Sequence, residues 1–336
     1  MFVNKISLNM KQFPIRLRLA RSIMGLSLGK LSEKMGYAIT KQSLSRYEAG
    51  IMKPKSDVLA TLASALDISM AYFEGTSMVL DVPMLRSSSN TSLSEEELVE
   101  IEALLSFKAE QYLRTERQIG MQAHFNNPLE GVCVSNLEEV IEAADLLREQ
   151  WRCGDGPIPS VLRLMERKGI KVLNASLPSR VIGLSTWADK KHPLVLIDMS
   201  SDKTNCERLR FTACHELGHL LLTFSDGVKV EQLCNQFASF FLFPRHTFKE
   251  EIGGDFRESL ALEELIDLRE LYGVSIAAQV HEAWDLRLIS RQHYDWWYEE
   301  LIKKNVKEEG WGSYRFPETL GRERRMKAII KNQADE

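Results

Sequence analysis

Hydrophobic positions recur every three or four residues along most of the chain, which predicts a largely helical protein. Between residues 14 and 75 this spacing is divided into five short segments. Ser27 and Thr40 are placed to cap the second and third segments, and glycines follow the ends of the first three. The pattern predicts a bundle of five short helices at the N-terminus.

The pattern changes after Gly75. The polar segment RSSSNTSLS (86–94) predicts a linker, and Ser94 with Glu97 predicts a capping box for a helix over 95–119. The other predicted elements, in chain order, are helices at 137–151 and 159–168, the β-rich runs GIKVLNA, VIGLSTW and PLVLIDM, helices at about 204–224 and 229–242, and a helical tail. The predicted class is therefore α+β, mainly α, with a small β-sheet in the second half.

Composition limits the class of protein. The chain has 336 residues, of which 44% are hydrophobic and 27% charged, so two or three globular units are expected. No apolar run approaches the roughly 18 residues that span a bilayer, and the N-terminus lacks the pattern of a signal peptide. The five cysteines are scattered without a C-x-x-C pair, which favours reduced thiols. We therefore expect a cytoplasmic protein without membrane contact.

The net charge of −4 hides a division along the chain. Residues 1–75 hold 11 basic and 5 acidic residues, a net +6, so the remainder carries −10. A basic N-terminal part on an acidic body is expected when only the N-terminal part contacts a polyanion. The alternative is a solvated basic face with no partner.

The second and third predicted helices are short and joined by a tight turn, and Thr40 caps the third. This arrangement predicts a helix-turn-helix unit. In such a unit the N-terminal residues of the later helix face base edges in the major groove. The candidate DNA-contacting residues are Lys41, Gln42, Ser43, Ser45 and Arg46. Glutamine suits adenine and lysine suits guanine, while Leu44 is expected to face inward. The alternative is a small bundle with a polar surface helix.

A resemblance supports the first interpretation. The runs RLRLARSIMGLSLGKLSEKMG and TKQSLSRYEAG resemble the XRE, or Cro/lambda-repressor-type, helix-turn-helix family over residues 14–75. The resemblance implies operator-DNA binding through Lys41, Gln42, Ser43 and Arg46. Two positions depart from the usual pattern: Leu28 replaces a frequent glutamine and Ser32 a usual alanine.

The segment FTACHELGHL (211–220) places His215, Glu216 and His219 in a run that otherwise predicts a buried helix. Residues four apart lie on one face of a helix about 6 Å apart, so the two imidazoles can share one cation. Glu216 lies about 100° around the helix, where it can act as a general base on a water. Gly218 removes side-chain bulk where another segment must approach. Two core histidines with a surface glutamate are the alternative.

A zinc site of this type needs a third protein ligand and one open position. The turn SDG (225–227) can bring the helix in EQLCNQFASFFLFP (231–244) beside the first, presenting Glu231. Asn235, one turn further, can orient one of the metal ligands without binding the metal itself. For Glu231 alone, the alternative is a carboxylate that interacts with the helix dipole.

These segments also carry a resemblance. RFTACHELGHLLL and EQLCNQFASFFLFP resemble the ImmA/IrrE-type metallopeptidase family, and the likeness spans about 137–245. It implies a zincin-like helical domain, with His215, His219 and Glu231 as metal ligands and Glu216 as base. Cys234 and Phe243 replace a usual alanine and methionine.

The same domain suggests further candidates. VIGLSTW (181–187) is a candidate edge strand on which an extended peptide can pair. His192, His246 and His281 are candidate oxyanion stabilisers, each with an ordinary surface or core histidine as the alternative.

The sequence thus predicts a dimeric, cytoplasmic, operator-binding transcriptional regulator with a zinc-dependent metallopeptidase-like domain that cleaves a partner such as a repressor or antitoxin. Zinc is the default metal, with manganese and iron as alternatives. The alternative function is a repressor or antitoxin-like module whose body binds a metal, senses a signal or docks a partner without turnover.

The predicted division is 1–78 for the DNA-binding domain, 79–135 for a linker and connecting helix, 136–250 for the metallopeptidase-like domain and 251–336 for a C-terminal helical region. That last region is a candidate lid, dimer arm or partner surface.

Overall fold

The computed structural model describes residues 2–81, 93–178, 181–201 and 204–335. Most of the predicted serine-rich linker, residues 86–92, lies outside the described residues. The predicted class is confirmed: the fold is α+β and mainly helical. In the part of the chain that is described, the helices all fall short of the length or apolarity required to cross a bilayer.

Five helices form the N-terminal bundle: α1 (Phe2–Ile23), α2 (Leu28–Lys34), α3 (Lys41–Glu48), α4 (Ser56–Leu66) and α5 (Met70–Glu74). The predicted caps are confirmed, since the hydroxyls of Ser27 and Thr40 accept from the backbone N–H groups of Lys30 and Ser43. The first helix begins well before the predicted start near residue 15. The bundle packs around a buried apolar core that includes Leu17, Leu31, Leu44, Leu62 and Phe73.

The connecting helix α6 (Glu95–Gln118) belongs to two cores. The predicted capping box is present, with Ser94 and Glu97 bonding each other's backbone N–H. Phe107 packs in the core of the N-terminal bundle, whereas Leu105 and Tyr112 pack in a second core that includes strand residues of the C-terminal half. This helix therefore joins the bundle to the rest of the protein through buried contacts on both sides.

The remaining elements are β1 (Cys133–Val134), α7 (Leu137–Trp151), α8 (Val161–Lys168), β2 (Lys171–Asn174), β3 (Gly183–Ala188), β4 (His192–Ile197), α9 (Cys206–Leu221), β5 (Thr223–Phe224), α10 (Val230–Leu242), α11 (Arg245–Glu251), α12 (Leu262–Tyr272), α13 (Ile276–Asp285), α14 (Arg291–Trp296), a π-helical turn (Trp297–Ile302) and α15 (Arg322–Asp335).

The predicted helix over 204–224 is wrong at its C-terminal end. Leu222 is extended, and Thr223 and Phe224 form β5, which pairs in parallel with β1. The backbone N–H of Thr223 donates to Val132 O at 3.1 Å. Tertiary pairing therefore replaces the last helical turn that the local pattern predicted.

Strands β2, β4 and β3 form a sheet in that order. Strand β2 runs parallel to β4, and β3 runs antiparallel to it, with Ser185 opposite Val195. Strand β3 is thus at the edge of this sheet, although it begins two residues later than predicted. The outer side of β3 pairs with the segment that leaves the N-terminal bundle: Asp81 N donates to Trp187 O, and Asp189 N donates to Val79 O.

One hydrophobic core extends across residue 250. It contains Leu217 and Phe241 together with Leu265, Ile276 and Trp297, which lie beyond residue 250. The predicted boundary at 250 remains a prediction, and the packing continues through it.

A buried ion pair attaches the C-terminal segment to α9, the helix that contains the sequence HELGH (215–219). Arg210 and Glu318 are fully buried and lie 2.6 Å apart. Glu318 also accepts from the backbone N–H groups of Val161 and Leu162 at the start of α8. The Arg210 guanidinium would collide with any Cβ at Gly273, whose positive φ also favours glycine.

We expect Glu318→Gln to lower the free energy of unfolding by about 3–5 kcal/mol, because a buried guanidinium loses its counter-charge. Urea denaturation of the full chain measures this change. Glu299→Gln, which removes an exposed partner of Lys303, is the matched control and should cost less than about 1 kcal/mol. Equal losses in the two variants would contradict the role assigned to Glu318.

Candidate metal centre and nucleic-acid interface

Helix α9 directs both imidazoles to one point. His215 and His219 lie one turn apart, and their Nε2 atoms are 3.1 Å from each other. Both side chains are largely buried. Two imidazole nitrogens this close favour a shared cation.

Glu231 on α10 brings its carboxylate to the same point. Its Oε2 lies 3.4 Å from His215 Nε2, and its Oε1 lies 3.4 Å from His219 Nε2. Metal bonds of about 2.0–2.1 Å in a tetrahedral site place neighbouring ligand atoms about 3.3 Å apart, so the three separations fit such a site. Glu231 Oε1 is also buried without a hydrogen-bond partner. The donor set therefore fits a divalent cation.

Gly218 allows this convergence. A Cβ at this position would lie 3.2 Å from Phe237 Cδ1 and 3.3 Å from Cys234 Sγ. Glycine therefore lets α10 pack closely against α9, as the sequence predicted. The approach brings Glu231 within reach of the two histidines.

The two candidate histidine ligands contact side chains of α10 through their other ring nitrogen. Asn235 Oδ1 lies 2.9 Å from His215 Nδ1, so this nitrogen donates and Nε2 keeps its lone pair for a cation. Cys234 Sγ lies 3.5 Å from His219 Nδ1. The role predicted for Asn235 behind a metal ligand stays a prediction, and this contact is what it requires. The sequence did not predict the contact of Cys234 with His219, although a cysteine in place of the usual alanine was noted at this position.

Glu216 lies beside the three ligands in a buried position. Ser185 of β3 donates its hydroxyl to Glu216 Oε2 at 2.7 Å. Burial raises the pKa of Glu216 against the lowering effect of the two neighbouring histidines, which suits a group that must take up a proton. A Cβ at Gly183 would lie 2.8 Å from Thr212 Cγ2, so glycine here lets β3 approach α9. Ser185 belongs to no sequence motif that would have predicted this contact.

The charges of the ligands are coupled. Burial lowers the pKa of His215, but the adjacent carboxylates of Glu231 and Glu216 outweigh this effect and raise it. Burial raises the pKa of Glu231, but the adjacent imidazoles of His215 and His219 outweigh it and bring the pKa to about 2. Glu231 is therefore ionised at neutral pH, as a metal ligand must be.

The three candidate oxyanion stabilisers have other neighbours. His192 begins β4, His246 lies 3.3 Å from Asp155, and His281 Nδ1 lies 3.2 Å from Tyr294 Oη. Among the contacts of the described residues, none of these joins the three histidines to Glu216.

The predicted DNA-contacting residues share the start of α3. Lys41, Gln42, Ser45 and Arg46 are exposed, whereas Ser43 is half-buried beside the capping Thr40. Leu44 is fully buried, as predicted. The helix therefore presents one polar face to solvent and one apolar face to the bundle.

Polar contacts fix α3 in the bundle. Both carboxylate oxygens of Glu48 accept from Arg21, at 2.6 and 2.8 Å. The departure at Ser32 has a structural partner, since its buried hydroxyl donates to Ile39 O at 2.6 Å in the turn before α3. Leu28, the other departure, packs against the bundle core.

Comparison with protein families agrees with this geometry. A family described as helix-turn-helix matches residues 17–73. A peptidase family described as an IrrE N-terminal-like domain matches residues 165–283, which include α9, Glu231 and most of α13. A comparison with curated proteins finds no match. The chain therefore joins an XRE-type helix-turn-helix domain to a domain of the ImmA/IrrE-like peptidase family.

Proposed function

We propose that His215, His219 and Glu231 hold one divalent cation, zinc by default, with manganese or iron as alternatives. The close approach of the three ligand atoms carries this proposal. When bound, such a cation polarises a carbonyl oxygen and makes a water more acidic. Family membership also supports it.

The proposed reaction is hydrolysis of a peptide bond in a partner protein. Glu216 accepts the proton of the attacking water and passes it to the leaving amine. Its hydrogen bond from Ser185 holds the carboxylate towards the ligand cluster. Burial favours the protonated form after the first transfer, so Glu216 can serve as the acid in the second.

The substrate backbone would pair with the outer edge of β3. This strand carries Ser185 and therefore lies directly beside Glu216. Within the described residues, segment 79–81 of the same chain already pairs with this edge. The pairing lies towards the C-terminal end of β3, at Trp187 to Asp189. A peptide would use the part of the edge nearer Gly183.

For the N-terminal bundle we propose operator binding through Lys41, Gln42, Ser43, Ser45 and Arg46. The exposed polar face of α3 supports this assignment. One such unit contacts only a half-site, so a homodimer is the expected binding form. The protein substrate would be another regulator, a repressor or an antitoxin-like partner.

The second candidate function is a regulator whose body docks a partner without cleaving it. The pairing of residues 79–81 with β3 favours this alternative, because part of the edge that a peptide needs is already occupied. Retention of a buried Glu216 beside the ligand cluster favours hydrolysis.

Metal content tests the ligand set. We expect about one metal ion per wild-type chain by elemental analysis after purification and dialysis. Glu231→Gln and His215→Ala should lower this content at least tenfold, because each removes a ligand, whereas Glu216→Gln should keep the metal. Equal metal content in Glu231→Gln and wild type would exclude Glu231 as a ligand.

Cleavage tests the base. Immobilised Glu216→Gln protein captures partners from the source cells, and wild-type protein is then added to each captured partner. We expect a new N-terminus by mass spectrometry, with a rate about 10²–10⁴-fold lower for Glu216→Gln. Glu299→Gln is the control with unchanged cleavage. Cleavage by Glu216→Gln at the wild-type rate would refute the assignment, and capture without cleavage would favour the docking function.

DNA binding is tested on duplexes selected by the full chain from a random pool. Gln42→Ala should relax preference at one base pair by about 1–3 kcal/mol, because a bidentate contact is lost. Lys41→Ala should weaken binding, while Lys304→Ala in the C-terminal region should bind like wild type. Footprints that stay unchanged in both α3 variants would contradict the proposed docking.

A further inference from the structure

One face of α10 contacts both candidate histidine ligands. Glu231, Cys234 and Asn235 are spaced three and four residues apart, so they lie side by side on this helix. Glu231 approaches the Nε2 atoms of His215 and His219 at 3.4 Å. Asn235 Oδ1 contacts the Nδ1 atom of His215, and Cys234 Sγ contacts the Nδ1 atom of His219. The same helix therefore contacts each imidazole at both of its ring nitrogens.

The contact of Cys234 with His219 is buried. Cys234 is 0% exposed, and the side chain of His219 is 5% exposed. The sulfur lies 3.5 Å from Nδ1, a distance that suits a hydrogen bond because sulfur is larger than oxygen. Among the hydrogen bonds of the described residues, this is the one that Nδ1 of His219 makes. A buried ring nitrogen without a partner is costly, so this thiol has a role that an apolar side chain cannot take over.

The hydrogen bond at Nδ1 fixes the orientation of the His219 ring. A rotation of the ring by half a turn exchanges Nδ1 with a C–H group, and the bond to the sulfur is then lost. The same rotation moves Nε2 away from Glu231, which it now faces. A metal ligand must offer the lone pair of Nε2, so Nδ1 carries the proton and donates it to a partner such as a thiol sulfur. The contact thus supports the form of His219 that binds a cation.

Gly218 sets the position of the sulfur. A Cβ at this position would lie 3.3 Å from Cys234 Sγ and 3.5 Å from Cys234 Cα. Glycine therefore lets Cys234 approach α9 directly beside His219, the next residue in the chain. The helix contact that brings Glu231 to the histidines also brings the thiol to the far side of the His219 ring.

We propose that Cys234 is a positioning residue, which holds the imidazole of His219 through the bond between Nδ1 and Sγ and so directs Nε2 towards the cation. The inference rests on the proposed function, since it concerns the same metal centre. Alanine, the usual residue at this position in the family that the sequence resembles, cannot form this bond.

A direct bond from Cys234 to the cation is the other role open to a cysteine, because thiolates bind zinc. The sulfur, however, contacts Nδ1, whereas Nε2 of the same ring faces Glu231. In the part of the chain that the structure describes, the ligand atoms within 4.8 Å of one another come from His215, His219 and Glu231. This geometry places Cys234 behind His219 and not among the ligands.

Zinc affinity tests this role. The full chain and its variants are titrated with zinc in competition with a chelator of known affinity. We expect Cys234→Ala to weaken zinc binding about 10–100-fold, because the imidazole loses the partner of its second nitrogen. Cys234→Ser keeps a hydroxyl that can accept from Nδ1, so its zinc affinity should lie closer to wild type than to Cys234→Ala.

Cys214→Ala is the matched control. Cys214 is also fully buried, it directly precedes His215 in α9, and it belongs to the large hydrophobic core. The same atoms are removed from the same part of the protein, but the imidazoles keep their partners. This variant should bind zinc like wild type.

The ring nitrogens of His219 give a second readout, which a general loss of packing would not reproduce. NMR of the full chain with isotope-labelled histidine follows these nitrogens with and without zinc. In the zinc-loaded wild type we expect a protonated Nδ1 whose hydrogen exchanges slowly with water. Cys234→Ala should speed this exchange and should also shift the His219 signals of the metal-free protein, whereas Cys214→Ala should change neither.

The outcomes separate this inference from the proposed function. Tight zinc binding of equal strength in wild type and Cys234→Ala overturns the role of Cys234 but supports the metal centre. Absence of zinc binding in wild type, with His219 signals that shift in Cys234→Ala and not in Cys214→Ala, refutes the metal centre and supports the positioning of the ring. Equal losses of affinity in Cys234→Ala and Cys214→Ala, or an equal loss in Cys234→Ser, overturn the hydrogen bond as the cause. His219 signals that do not respond to Cys234→Ala overturn the inference as well.

Discussion

The close packing of α9 against α10 at Gly218 is the constraint on which the candidate metal centre depends. A side chain there would push against Cys234 and Phe237, and α10 would move outward. Glu231 would then no longer reach the two histidines. A second glycine, Gly183, has the same effect on the opposite side, where it lets β3 approach α9 and bring Ser185 to Glu216. The candidate ligands and the candidate base therefore hold their positions because two backbones approach one helix without intervening side chains.

The C-terminal region completes this arrangement. Its buried Glu318 neutralises Arg210 on α9 and binds the first N–H groups of α8. Its helix α13 faces α10, the helix that carries Glu231, across a cavity of about 240 Å³. The region that the sequence left open as lid, arm or partner surface thus forms part of the core.

Local periodicity was sufficient for the ligand cluster, because the i, i+4 spacing of His215 and His219 and the helical face of Glu231 are properties of single helices. The capped helices of the N-terminal bundle were predictable for the same reason. Ser185 and Glu318 were not, because each contacts residues from distant parts of the chain. The same limit explains the error at Leu222–Phe224, where pairing with β1 overrides a helical pattern. Sequence patterns define the elements, and long-range contacts decide which further side chains meet the site.

Helix α6 would keep the N-terminal bundle attached to the rest of the protein even after a break in the preceding segment. It follows residues 82–92 in the chain, yet it holds α1 and α5 through Phe107, through the ion pair of Glu102 with Arg16, and through Glu110, which accepts from Ser69. Severing the polypeptide between residues 81 and 93 would therefore not release the DNA-binding fragment. The two pieces would stay associated as a nicked protein, and their dissociation would require breaking the buried contacts along a six-turn helix.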